Sequence, residues 1–321
     1  MTETNAKSFK FLALDGEDLR QNAAAAISAP VVCIGNFDGA HRGHAAIVQA
    51  AKELPEARKA GVWALSFAPH PRRFFRPDLP LFQLTPQPLR QERLAAIGFD
   101  GLVELAFNAE LASMSARDFV RDVLAGSLRA SGVVVGEDFH FGKNRTGTPD
   151  FLAEAGREFG FSTRFVPPYR DENGEIVSSS AIRLALQNGD LKTANRMLGY
   201  AFEIIGPVIH GAKRGRELGY PTANIALDPA CGLKHGIYAV RVRIDGAAHL
   251  GVASFGRRPM FDNGAPLLEI FVLDFSGDLY GKTTRVSFEA FLRGEEKFES
   301  LDALIRQMDA DRDEARRILA P

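Results

Sequence analysis

The stretch VVCIGNFDGAHRGHAAIVQAAKEL, running from Val31 to Leu54, decides the fold of the first part of the chain. The short apolar run VVCI reads as a buried strand. A loop with glycines at 35, 39 and 43 follows, and AAIVQAAKEL then spaces its apolar residues as a helix does. His41 and His44 stand three residues apart where strand hands over to helix. Three readings compete for the pair: ligands of a metal, donors to a phosphate, or two solvent-facing histidines at a helix start.

Outward from this stretch the pattern alternates. Strand-like runs are expected at 31–37, 62–67, 102–107 and 133–136, with helical patterns between them at 45–54, 88–97, 116–124 and 150–159. Such alternation predicts an α/β domain with a Rossmann-like parallel sheet covered by helices, whose ligands bind at the carboxyl ends of the strands. From about Phe202 the rhythm changes to strands broken by Gly and Pro: FEIIGPVIHG, GIYAVRVRID, AHLGVASF, LLEIFVLDF and RVSFEAFL. Several alternate at period two, which predicts a small antiparallel barrel or sandwich. A helix over SLDALIRQMDADRDEARRIL, with Ser300 as its N-cap, closes the pattern. The expected domains are 1–200 and 201–321.

The bulk numbers exclude several classes. The chain's 321 residues suffice for two domains. Its 45% hydrophobic and 25% charged content is ordinary for a globular protein. A formal net charge of −1 gives no electrostatic case for a nucleic-acid partner. The two cysteines, Cys33 and Cys231, form no CxxC and read as buried thiols. MTETNAKSFKFLALDGEDLR lacks the basic start and apolar core of a signal peptide, and no run is apolar enough to span a bilayer. A cytoplasmic protein with no membrane partner is expected.

Phosphate binding suits the histidine pair better than metal. Zinc takes three or four ligands, and no third stands at a recognisable spacing. Glycines let backbone approach an anion, a helix start offers free N–H groups, and two imidazoles can donate as charge builds on a phosphate. The loop is neither GxxxxGK[ST] nor GxGxxG. His41-Arg42-Gly43-His44 instead resembles the HxGH signature of nucleotidyltransferases, which split ATP between its α- and β-phosphates. SSSAIR, Ser178 to Arg183, resembles the SSTxIR motif that partners it. Ser179 and Ser180 can cap the following helix and present hydroxyls to phosphate, and Arg183 adds a fork for a leaving pyrophosphate.

Two further stretches, SFAPHPRRFF (Ser66–Phe75) and VGEDFHFGKNRTG (Val135–Gly147), resemble motifs of the FMN adenylyltransferase half of bacterial bifunctional FAD synthetases. Phe75 and Phe141 can stack on a flat isoalloxazine ring, and both can equally fill a core in a chain with 24 phenylalanines. Asp138 can bond a polar edge of the ring, and His70 belongs to the same flavin-binding set.

In the second domain, HGAKRGRELGYPTANI (His210–Ile225) carries Thr222 and Asn224, neutral oxygen donors suited to Mg²⁺; a satisfied Pro-led turn is the competing reading. On the strand pattern LLEIFVLDF, Glu269 shares a face with Phe271, Leu273 and Phe275. A carboxylate on an aromatic face is costly unless paired or protonated, a setting that suits a general base; a rim Glu reaching solvent is the alternative.

GRELGYPTANI, GIYAV, GVASFGRRPMFDNG, LLEIFVLDFSGDLYGK and FLRGEEKF together resemble the riboflavin kinase module of the same bifunctional enzymes. With the earlier motifs the resemblance spans roughly residues 30–315. It departs at Ser180, where the family often has Thr, at Ser254, where Asn is usual, and at Met260, where Thr is usual.

The resemblance implies phosphorylation of riboflavin to FMN by the second domain, with Glu269 as base and Thr222 and Asn224 holding Mg²⁺ and phosphate. It implies adenylylation of FMN to FAD by the first, with release of pyrophosphate. There His41 and His44 stabilise the α-phosphate, Gly35, Asn36, Phe37 and Gly39 hold the nucleotide phosphates, and Ser179, Ser180 and Arg183 the departing ones. Partners are then the small molecules riboflavin, FMN and ATP; transient self-association is compatible with it. Two rivals keep the scaffold: an adenylyltransferase whose barrel only binds flavin, and a non-catalytic flavin-binding protein.

Overall fold

The computed structural model describes residues 9–21, 27–87, 89–211, 220–257 and 266–320. They pack as two units, Met1–Pro80 with Thr85–Ser178 and Leu81–Leu84 with Ser179–Pro321. The division by packing thus falls between Ser178 and Ser179. Two helices ahead of the expected boundary at 200, Ser179–Asn188 and Leu191–Leu198, pack with the second unit.

The first unit is built on six parallel strands: β1 (Lys10–Leu14), β2 (Val31–Ile34), β3 (Val62–Ala68), β4 (Gly101–Ala106), β5 (Gly132–Gly136) and β6 (Ser162–Val166). They lie in the order β1-β4-β3-β2-β5-β6. All four β2 residues are buried, as a central parallel strand covered on both faces requires. Alternation divides them between two cores. Val32 and Ile34 join Leu65, Val103 and Val133 on one face; Val31 and Cys33 join Ala64, Leu102 and Val134 on the other. Burial pushes the Cys33 thiol far above its ordinary range, so it serves packing rather than chemistry.

The chain runs outward from β2 through β3 to β4, then returns to lay β5 on the other side of β2. The loop after β2 therefore sits at a topological switch point, the crevice where such sheets bind ligands.

Three details differ from the sequence reading. The edge strand β1 and the strand β6 lie in segments given no strand. The helix expected at 45–54 spans Arg42–Lys52 and begins three residues earlier. The helix expected at 116–124 is one α-turn, Ala116–Asp118, that widens into a π-helix over Phe119–Ser127.

The second unit is antiparallel: β7 (Phe202–Pro207), β8 (Thr222–Ala226), β9 (Gly236–Ile244), β10 (Ala247–Arg257), β11 (Pro266–Val272) and β12 (Thr283–Arg293), in the order β7-β12-β9-β10-β11-β8. The sheet curls until its two ends meet, where Ile209, just past β7, bridges Asn224 of β8. Two register shifts in β12 help it bend. Tyr238, Phe255, Leu268, Ile270 and Phe288 fill the interior. The helix Leu301–Leu319 starts where expected, the Ser300 side chain accepting from the Ala303 amide at 3.2 Å. It covers the outer face of the sheet through Ala315 and Leu319 against Ala239. A buried Arg293–Asp311 pair (2.7 Å) fastens it to β12.

Candidate active sites

The loop after β2 is held by an unusual helix start. His41 is the N-cap of the Arg42–Lys52 helix, and its Nδ1 accepts from the His44 amide at 3.3 Å. His44 reciprocates, its Nδ1 accepting from the His41 amide at 3.3 Å. The two imidazoles do the work of the Ser and Glu of a capping box. Their rings stack at 3.6 Å with 17° between planes. An Nδ1 that accepts carries no proton, so in each neutral ring the proton is on Nε2. Burial, then His41, then the Arg90 charge hold the His44 imidazole well below its ordinary value of 6.5. His44 is therefore a neutral ring with its Nε2–H left to donate. No group of three or more His, Cys, Asp or Glu side chains placed to hold a metal occurs among the described residues.

Tight turns bring the histidines into place. Phe37, Gly39 and Ala40 take φ of +51°, +90° and +37°. The Gly39 amide donates to Thr85 Oγ1 at 2.9 Å, and the Thr85 amide to the buried Asp38 carboxylate at 3.0 Å. Phe37, expected among the nucleotide-binding residues, turns its ring into the core at 1% exposure, edge-on to His44 at 5.1 Å. Its apolar side chain packs with Phe99 there, so it supports the histidine rather than a ligand. At Gly43 an added Cβ would lie 3.1 Å from the His41 ring and 3.2 Å from the Val177 carbonyl oxygen.

Asn36, directly after Gly35, lines a cleft of ≈ 890 Å³ in the same unit. Asn36 Oδ1 is buried without a hydrogen-bond partner, the mark of a polar group that a ligand completes. Two aromatic clusters line the cleft. One joins Phe74, Phe75 and Phe107 edge to face; the other stacks Phe139 on Phe141 at 5.5 Å. Phe75 is 60% exposed, whereas Phe141 is buried at 8%. His70 also lines the cleft and caps the Pro71–Phe75 turn, its Nδ1 accepting from the Arg72 amide at 3.1 Å. Asp138 is exposed and is not among the lining residues.

A third group was not singled out in the sequence. Arg90, on the helix Leu89–Ala96, pairs with Glu104 at 2.7 Å and donates to the Asn36 carbonyl at 3.0 Å and to Ser66 Oγ. Its helix reads from sequence as charged and solvated; only burial of both partners, 13% and 15% exposed, separates it from a surface pair.

In the second unit, Ser179 and Ser180 are the first two residues of their helix, so the position ahead of it is Ser178, one residue before the expected caps. Arg183 Nε donates to the Phe82 carbonyl at 2.6 Å.

The strands of that unit bring the other set together. Antiparallel pairing sets Glu269 opposite both Asn224 of β8 and Ser254 of β10, and Phe271 opposite Thr222. Paired positions share a face, so Thr222, Asn224, Glu269 and Ser254 form one polar patch. The fully buried face of β11 is Leu268, Ile270 and Val272; Glu269 is on the other, half-buried one. This corrects the expectation of a core-like aromatic face, since Leu273 and Phe275 lie past the strand end at Val272. Asn224 is 4% exposed and its Oδ1 has no hydrogen-bond partner. A Cβ at Gly211 would lie 2.4 Å from Asn224 Nδ2, so only glycine lets the chain pass there. Met260 and the basic stretch 212–219 lie outside the described residues.

Comparison with known proteins matches both halves. The FAD synthetase family model covers residues 24–181 and the riboflavin kinase model residues 198–319. A bifunctional riboflavin kinase/FMN adenylyltransferase of Pseudomonas fluorescens is 41% identical over 296 residues, 91% of this chain and 93% of that one. The Escherichia coli K12 protein of the same name is 38% identical over 88% and 90% of the two chains. That of Bacillus subtilis is 34% identical over 89% and 91%. A crystal structure from Streptococcus pneumoniae named a macrolide-efflux protein superposes with a TM-score of 0.83 at 30% identity, covering 95% of this chain and 99% of that one. Among the described residues no helix is long and apolar enough to cross a membrane.

Proposed function

Because the chain belongs to the family of bifunctional riboflavin kinase/FMN adenylyltransferases, we propose that its two units divide the two reactions between them. The enzyme phosphorylates riboflavin to FMN and adenylylates FMN to FAD. One observation carries the assignment of sites. Each unit gathers its own polar set: a reciprocally capped histidine pair beside an aromatic cleft in the first, Thr222, Asn224 and Glu269 in register in the second. Of the names its relatives bear, the enzymes' is the one these residues answer.

In adenylyl transfer, an FMN phosphate oxygen attacks the α-phosphorus of ATP and pyrophosphate leaves. The His41 and His44 Nε2–H groups donate to the α-phosphate oxygens as their charge grows. Because Nδ1 of each ring is already engaged, neither imidazole must reorient as charge develops. Asn36 brings its side-chain amide to the nucleotide, whereas the Gly35 and Gly39 backbone N–H groups are spent on the Leu65 carbonyl and Thr85 Oγ1 and shape the loop instead. Phe75, with Phe141 and His70 in the same cleft lining, holds the flavin; Asp138 lies outside the lining. Ser179, Ser180 and Arg183, which the motif assigns to the pyrophosphate, pack with the second unit.

In the kinase reaction, Glu269 accepts the proton of the riboflavin 5′-hydroxyl as its oxygen attacks the γ-phosphorus. The Asn224 oxygen, buried with no donor, and the Thr222 hydroxyl fit a hard cation. Mg²⁺ held there neutralises phosphate charge during transfer. Thr222 and Asn224 orient the phosphates; Ser254 stands opposite Glu269 across the β10–β11 pair.

Incubation of the protein with riboflavin, ATP and Mg²⁺, with flavins separated over time, tests the reading. FMN rising first and then giving way to FAD is expected. FMN that never converts leaves the histidine pair without its role; FAD formed only from supplied FMN reduces the barrel to a binding module.

A further inference from the structure

We propose that Arg90 is a positioning residue for adenylyl transfer, clamping the backbone at Asn36. The inference rests on assignment of that reaction to the His41–His44 site. Arg90 lies outside the HxGH loop but reaches its first turn. One guanidinium nitrogen pairs with Glu104 at 2.7 Å, and another donates to the Asn36 carbonyl at 3.0 Å and to Ser66 Oγ. Ser66 itself approaches the same carbonyl at 3.4 Å. Strands β3 and β4 thus hold, through one side chain, the loop residue two positions past the end of β2 that lines the cleft. A planar fork makes these bonds at once; a lysine ammonium, though charged, cannot reproduce the fork.

The test follows FAD formation from FMN and ATP in the full chain, with riboflavin phosphorylation as the internal control. FAD formation by the wild type and its loss in H44A first secure the underlying assignment. Arg90→Lys keeps the charge and loses the fork. It should lower kcat by about tenfold, as sub-ångström misplacement does, with the KM values for FMN and ATP in place. Arg90→Met loses both charge and fork and should lower kcat further, again with KM in place. Riboflavin phosphorylation should be unchanged in each. Wild-type kcat in Arg90→Lys, or a loss carried by KM with kcat unchanged, overturns the clamp. Should Arg90→Met not fold, Arg90→Lys decides alone.

Discussion

Substituting Gly43 by alanine separates the geometry of the histidine pair from the stability of the fold. The new Cβ would stand 3.1 Å from the His41 Cε1 and Nδ1 atoms and 3.2 Å from the Val177 carbonyl oxygen. Ordinary contact lies near 3.5–4.0 Å, so one neighbour must yield by a few tenths of an ångström. The carbonyl is backbone and the His41 ring can tilt, so the ring gives way. Misplacement of about 1 Å in a catalytic group costs about 100-fold, so a shift of half that predicts a loss of roughly tenfold in FAD formation. Stability moves differently. Alanine is favoured over glycine in a helix by up to about 1 kcal/mol, and the crowding opposes this by a similar amount. The melting temperature should therefore stay within about 4 °C. The assay is FAD formed from FMN and ATP, with riboflavin phosphorylation followed in parallel and unaffected. Full FAD-forming activity in a stably folded G43A protein would refute the claim that the stacked imidazoles need their present placing.

In the second unit, Gly211→Ala drives a Cβ to 2.4 Å from Asn224 Nδ2; phosphorylation of riboflavin should fall at least tenfold, on the order expected for a displaced ligand, while FAD formation from FMN continues. Asn224→Ala removes a buried oxygen that has no partner, so thermal unfolding should change by no more than about 1 kcal/mol, yet kinase activity should drop and need more Mg²⁺. Because the His44 imidazole sits below 6.5 in the fold, its contribution to stability is complete above the unfolded-state value. It is lost as pH falls from there toward the folded-state value, by at most about 1.4 kcal/mol per pH unit. Calorimetry of the wild type and His44→Gln should show a shallower decline in the variant below pH 6.5.

Much of this was readable from residue order. The apolar run at Val31, the glycines and the two histidines placed the loop at the carboxyl end of a central strand, and the structure has it beside the point where strand order reverses. The segments read less well have physical reasons. KFLAL at Lys10–Leu14 carries an apolar run, FLAL, but as an edge strand it leaves most of those side chains at least partly exposed and shows no alternation to mark it. TANIA is given no strand by the sequence, where Thr222 and Asn224 fit cation donors and a Pro-led turn alike; register with β11 makes it a strand. Spacing cannot distinguish a π-helix from an α-helix over so few residues, so the widening at Phe119 gave no signal. The reciprocal cap was also hidden. Histidine is not a usual N-cap, and only the stacked rings show that each serves the other's backbone. Arg90 is legible only through partners 14 to 54 residues away.

The account stands on two separable sites in one chain, and paired variants test that most directly. His44→Ala should turn riboflavin into FMN and stop there. Glu269→Ala should leave riboflavin untouched yet convert supplied FMN to FAD. A mixture of the two proteins, given riboflavin, ATP and Mg²⁺, should make FAD again. Loss of both activities in either variant while it remains folded, or no FAD from the mixture, would contradict it.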